Sequence, residues 1–181
     1  MAQSNRERLK AIIQEKSILK GDFTLASGKK STYYIDARLT TLDAEGVNLI
    51  GKIFLEEIKK DSSITAVGGP TMGADPIVGS VLALSQEAGY TLPGFLVRKE
   101  EKGHGTGKLI EGNLKSDDIV AMFEDVVTTG GSVIKAINAV RDCGAEVSKL
   151  LVIVDREEGA KSKFEEMGIE FYSIFQISDL L

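Results

Sequence analysis

The chain is poor in the residues that staple or anchor small proteins. One cysteine among 181 residues excludes an internal disulfide, and one histidine beside it leaves too few ligands for a Cys/His zinc site. No apolar run approaches the roughly 18 residues of a membrane span, and the opening MAQSNRERLK is polar where a secretory signal would be apolar. A cationic surplus is missing as well. The 27 Asp+Glu outnumber the 22 Lys+Arg, for a net charge of -5, which argues against general nucleic-acid binding because phosphate-backbone affinity needs a positive surface. No repeat, heptad array, low-complexity tract or Ser/Gly/Pro linker divides the chain. The expectation is one soluble cytoplasmic domain with neither membrane nor nucleic acid as partner. Proline is also scarce, at 3 against 19 glycines. Glycine in that excess is either flexible linker or backbone that makes close approaches.

What is present is a rhythm of strand, loop and helix. Residues 4–16 read as a first helix with Leu9, Ile12 and Ile13 on one face and Ser4 or Asn5 as cap. Phe23 to Ala37 reads as two small strands around Ser27-Gly28, and Asp43 opens a helix carrying Val47, Ile50, Phe54 and Ile58 at helical spacing. Short apolar runs follow at 64–67, 94–97, 119–123, 150–154 and 171–175, with helices predicted from the Asp75-Pro76 cap, over 131–143 and over 160–167. This alternation predicts an α/β fold: an open, mainly parallel twisted sheet with helices on both faces. Ligands in such sheets bind beyond the carboxyl ends of the strands, so the residues after Val67, Val97, Phe123 and Val154 carry the information.

After Phe123 comes Glu124-Asp125-Val126-Val127-Thr128-Thr129-Gly130-Gly131-Ser132. The Thr/Gly turn into a helix offers backbone N–H groups and the positive end of the helix dipole, which suit a phosphate. The adjacent acids suit sugar hydroxyls or a divalent ion bridging to the ligand. Together they describe a site for a ribose 5-phosphate. After Val97, the run Arg98-Lys99-Glu100-Glu101-Lys102-Gly103-His104-Gly105-Thr106-Gly107-Lys108 alternates cations with glycine, as expected of a mobile loop that closes over an anion. It fits neither the P-loop nor the dinucleotide-binding pattern. Gly68-Gly69-Pro70-Thr71-Met72-Gly73 is a second candidate anion cradle, leading into a capped helix.

MFEDVVTTGGS at 122–132 resembles the signature with which type I phosphoribosyltransferases bind 5-phosphoribosyl 1-diphosphate (PRPP). FTLASGKKSTYYID at 23–36, VRKEEKGHGTGKLIEG at 97–112 and Asp155-Arg156 narrow the likeness to the orotate phosphoribosyltransferases, over nearly the whole chain from about residue 20. The resemblance implies the type I phosphoribosyltransferase fold, with residues 1–40 as an N-terminal hood that recognises the base and 41–181 as the core. It implies transfer of the phosphoribosyl group from PRPP to orotate with Mg2+, which is expected to arrive on PRPP rather than on direct protein ligands. It also implies a homodimer in which the mobile loop 98–112 of one subunit completes the other's site. By matching position, Arg98, Lys99, Lys102 and His104 would meet the pyrophosphate of PRPP, with Gly69, Pro70, Thr71 and Met72 as a pyrophosphate loop. Glu124 and Asp125 would hold the ribose hydroxyls, and Val126, Val127, Thr128, Thr129, Gly130, Gly131 and Ser132 the 5′-phosphate. Thr128, Arg156 and Tyr34 would bind orotate, with Ile35 beside the base, and Lys102 and Asp125 would be catalytic. One departure is Ala26, where many members carry lysine; Lys29 or Lys30 stands near enough in sequence to replace it.

Displacement at the anomeric carbon develops positive charge on the sugar and negative charge on the departing pyrophosphate, so carboxylates near the one and cations near the other stabilise both ends. Two other readings compete: a purine phosphoribosyltransferase, since the 124–132 loop does not choose the base, and a PRPP-sensing regulator without catalysis. The regulator usually carries a basic DNA-binding addition, and residues 1–20 offer only one short helix.

Overall fold

The computed structural model describes residues 3–24, 30–100 and 109–181. The chain enters through α1 (Asn5–Lys16). Ser4 accepts from the Glu7 N–H at 3.2 Å, and the Glu7 carboxylate accepts from the Ser4 N–H at 2.9 Å, a reciprocal cap that satisfies two otherwise orphaned donors. An antiparallel hairpin follows, β1 (Ile18–Thr24) with β2 (Lys30–Ile35), as a two-stranded sheet of its own. A short α2 (Arg38–Thr41) leads into α3 (Ala44–Ile58), whose N-terminus is capped by Asp43 accepting from Gly46 N–H at 3.0 Å.

The remainder alternates β3 (Ala66–Pro70), α4 (Asp75–Glu87), β4 (Gly94–Val97), β5 (Ile110–Gly112), β6 (Ile119–Val127), α5 (Gly131–Asp142), β7 (Glu146–Asp155), α6 (Ala160–Glu166), β8 (Glu170–Gln176) and α7 (Ile177–Leu180). These strands form a six-stranded sheet in the order β5-β4-β3-β6-β7-β8, parallel throughout except for β4 against β5. The mainly parallel α/β fold is therefore as expected. One face of the sheet packs on α1, α3, α4 and α7 through residues such as Leu9, Phe54, Val81 and Leu180. The other packs on α5 and α6 through Val133, Ile137 and Phe164. Because strands facing helices on both sides are buried on both sides, β6 and β7 carry the apolar runs 119–123 and 150–154.

Two local expectations are corrected. β6 runs through Val127 rather than ending at Phe123, because β7 stays alongside it with Glu124 opposite Val152 and Val127 opposite Asp155. The paired acids thus sit inside a strand end, not in a loop. Asp75 does not cap α4: the cap position is Ala74, with no side-chain bond, because the Ala74 N–H already donates to Pro70 O at 3.1 Å and draws the helix start one residue earlier.

From β3 the chain proceeds to β4 on one side, while β6 lies on the other. This reversal of strand order is where the loops after β3 and β6 part and leave a crevice. No helix among the described residues is long and apolar enough to cross a membrane.

Candidate active site

A cavity of about 970 Å³ opens at that crevice. It gathers segments far apart in sequence: Tyr34 and Ile35 from β2, Pro70 at the end of β3 with Thr71 and Met72 beyond it, Arg98 and Lys99 after β4, Glu124, Asp125 and Val126 from β6, and Gly131 and Ser132 at the start of α5. Gly69, Val127, Thr128, Thr129, Gly130 and Arg156 do not line it. Gly69 and Pro70, expected in a loop, are the last two residues of β3, held there by pairing with Leu96 and Val97. Val127 turns its side chain into the second core, and its carbonyl accepts from the Arg156 N–H at 2.9 Å. Lys102 and His104 lie outside the described residues, as do Ala26 and Lys29, while Lys30 is exposed on β2.

Glu124 is 8% exposed, and its carboxylate accepts from the Asp125 N–H at 3.1 Å, while Asp125 accepts from the Val126 N–H at 2.7 Å. Burial, then the neighbouring Asp125 charge, pushes the Glu124 carboxyl up to about 8, and the Lys99 charge draws it only partly back. The turn after β3 closes directly on this pair. A Cβ added to Gly73 would stand 2.5 Å from Glu124 Oε1 and 2.8 Å from Asp125 Oδ1, so any side chain there would push the two carboxylates aside. Nothing in the sequence motif signals this contact, since Gly73 reads locally as one more turn residue.

The shifted acid has a consequence for stability. Unfolded, Glu124 loses its proton near 4.5; folded, it holds it to about 8. The folded state binds the extra proton between those values, so its contribution is favourable at low pH and is lost as pH rises through 8. Glu124→Gln, neutral at every pH, is expected to stabilise the ligand-free protein at pH 9 by about 3 kcal/mol relative to its effect at pH 6. Melting temperatures of both proteins at the two pH values check this; parallel curves would refute it.

The loop between β6 and α5 leaves a run of its backbone N–H groups without acceptors. Among the described residues, no backbone N–H from Thr128 through Ser132 donates to another backbone group, and the cap residue Gly130 has no side chain with which to accept from the first turn of α5. Unpaired N–H groups at a helix start, with the helix dipole behind them, favour negative charge. Gly130 takes φ 79°, a left-handed turn that glycine adopts without strain.

Two arginines stand ready for anions. Arg98 lines the cavity, and its Nε is buried without a hydrogen bond; its guanidinium is 3.7 Å from Glu111. Arg156 follows β7, anchored by its N–H to Val127 O at 2.9 Å. Its side chain is only 12% exposed, its guanidinium lies over the Tyr33 ring at 5.7 Å, and its Nε is 3.5 Å from Glu158 Oε1, an ion pair without a hydrogen bond. A guanidinium this buried and this sparsely partnered favours a ligand carboxylate that restores the bidentate pairing. Sequence reading missed Tyr33 as its platform. It also missed Asp36 and Arg38 on the cavity wall, an ion pair in which the Arg38 guanidinium holds the Asp36 carboxyl below its ordinary range.

No family model matches the chain. Individual proteins do. It is 46% identical to the orotate phosphoribosyltransferase of Thermosynechococcus vestitus over 176 residues, covering 97% of this chain and 92% of that one. With the enzyme of Aquifex aeolicus it shares 44% identity over all of both chains. This chain belongs to the orotate phosphoribosyltransferase family. Among solved structures, that of the orotate phosphoribosyltransferase of Mycobacterium tuberculosis superposes with a TM-score of 0.86 at 36% identity, over 98% of this chain and 99% of that one. A complex of the Mycobacterium tuberculosis enzyme with PRPP gives 0.82 at 33% identity, with the same coverage. Adenine phosphoribosyltransferase of Trypanosoma brucei, at 17% identity and a TM-score of 0.69, shares the fold. The family's sheet, with its crevice between β3 and β6, is thus the frame that holds the acid pair and the anion loop.

Proposed function

We propose that this chain transfers the phosphoribosyl group of PRPP to orotate, giving orotidine 5′-monophosphate and pyrophosphate in pyrimidine biosynthesis. The observation that carries the reading is the acid pair at the end of β6 running directly into a loop of unpartnered N–H groups, at the one reversal of strand order in the six-stranded sheet. That pairing suits a sugar whose hydroxyls meet Glu124 and Asp125 while its 5′-phosphate meets residues 126–132. In the reaction the bond from the anomeric carbon to pyrophosphate breaks as a bond to the orotate ring nitrogen forms. The carboxylates favour the positive charge on the sugar, and Arg98, Lys99, Lys102 and His104, with residues 69–72, favour the charge on the leaving group. Arg156 and Thr128 orient orotate, beside Tyr34. The hood over the base corresponds to residues 1–40, supported by the separate β1–β2 sheet that carries Tyr34 to the cavity.

Glu124 and Asp125 are paired carboxylates in the cavity, a donor set that fits Mg2+ delivered by the substrate, since this ion keeps its waters and binds through phosphates with one or two carboxylates. When bound it supplies charge neutralisation on the pyrophosphate. A homodimer in which segment 98–112 of one subunit completes the partner's site is supported by the family and by exposed Leu39, Leu42 and Met72. Sedimentation is expected to give a dimer; a monomer would remove the shared site.

Orotate-dependent release of pyrophosphate from PRPP with Mg2+ is the direct test, run beside adenine, hypoxanthine and xanthine. Activity with orotate alone is expected. Activity with a purine alone would move the chain to another substrate class, and none with any base would favour a PRPP-binding regulator.

A further inference from the structure

We propose that α6 clamps the phosphate loop from behind, with Lys163 as a positioning residue for the Thr129–Gly130 peptide. The inference rests on reading residues 126–132 as the 5′-phosphate cradle. Lys163 Nζ donates to Thr129 O at 2.7 Å, across 34 residues of sequence. In a planar trans peptide the carbonyl and the N–H point in opposite directions. Holding the Thr129 carbonyl toward α6 therefore turns the Gly130 N–H away from it, out of the loop's rear. That N–H is among those without an acceptor in the described residues.

The next residue of α6 fixes the same peptide at its other end. Phe164 is fully buried, and a Cβ on Gly130 would come within 2.6 Å of Phe164 Cζ, so the ring abuts the Gly130 Cα. The ring is itself stacked on Phe171 of β8, with centroids 6.0 Å apart and planes 2° from parallel, which ties the platform to the sheet. Gly130 in turn starts α5, its carbonyl accepting from Ile134 N–H at 2.9 Å. One peptide is thereby held by a cation on its oxygen and by an aromatic ring under its α-carbon. The ammonium also polarises that peptide, which strengthens the opposite N–H as a donor. Lys163 touches the loop's backbone rather than the ligand, so its effect passes through geometry and polarisation.

Lys163→Met keeps most of the stem and removes the donor; Lys163→Arg keeps a charged donor. Because Lys163 is exposed, the expected loss is modest: affinity for ribose 5-phosphate and KM for PRPP worsen by about threefold to tenfold in Lys163→Met. Affinity for pyrophosphate, which binds the other end of the site, and KM for orotate stay near wild type, and Lys163→Arg recovers most of the loss. Calorimetry with ribose 5-phosphate and with pyrophosphate separates these readouts. Unchanged ribose 5-phosphate affinity in Lys163→Met would overturn the clamp, as would an equal loss for pyrophosphate, which would mark general destabilisation. If wild-type protein binds pyrophosphate but no ribose 5-phosphate, the cradle reading falls first and the clamp with it.

Discussion

Replacing Arg156 with alanine is expected to raise the KM for orotate by about 100-fold while the KM for PRPP moves far less. The guanidinium is nearly buried and stacked on Tyr33, and its Nε has only an ion pair with Glu158 at 3.5 Å and no hydrogen bond. Such a group has already left bulk water without gaining full partners, so a planar carboxylate that accepts two of its N–H groups gains a strong, oriented bond. A hydrogen bond to a charged group contributes about 1.5–3 kcal/mol, and two acting together reach the hundredfold range. Lysine, a point charge without the planar fork, is expected to recover only part of the loss. Initial-rate kinetics with each substrate varied in turn decide the matter. A normal KM for orotate in Arg156→Ala would remove this residue from the base site.

Lys102→Ala is expected to act on the other substrate end, lowering kcat by about 100-fold or more, in line with the loss of one electrostatic donor from a charge-separated transition state. Lys102 lies outside the described residues, and the case for it comes from its place in RKEEKGHG and from what flanks it. Arg98 and Lys99, which open that segment, line the same cavity as Glu124 and Asp125. Pyrophosphate gathers charge as it departs, and a fixed ammonium stabilises that state more than the ground state. Ribose 5-phosphate affinity should be unaffected, because that ligand has no pyrophosphate. A near-normal kcat with saturating substrates would take Lys102 out of the catalytic role.

Much of this architecture was legible in the chain because each strand end announces itself. Buried parallel strands read as apolar runs, and polar or glycine-rich residues directly after them have no packing role to explain them. The glycine excess is read on the same ground as strand-end backbone suited to anions rather than as linker. The boundary of β6 was misread for the same reason: the apolar run stops at Phe123, but pairing with β7 carries the strand on to Val127. Hydrogen bonding to a neighbour leaves no trace in hydropathy. Gly73 against the acid pair, Tyr33 under Arg156, and Lys163 behind Thr129 were invisible because each is a contact between segments whose separation in sequence has no periodicity.

What the sequence by itself determined is the inventory: an acidic chain without disulfide, zinc site or long apolar span, folded as alternating strands and helices, with the acid pair, the Thr/Gly loop and the cationic segment at strand ends. Local chemistry suffices for that, since caps, turns and apolar periodicity act within a few residues. Only the tertiary structure decided how those pieces face one another. The strand order β5-β4-β3-β6-β7-β8 sets the turn after β3 beside the acids of β6, and burial at that junction, not residue type, raises Glu124 to about 8. Desolvation and cross-segment contact depend on which surfaces pack together, and that is settled only when the whole sheet forms.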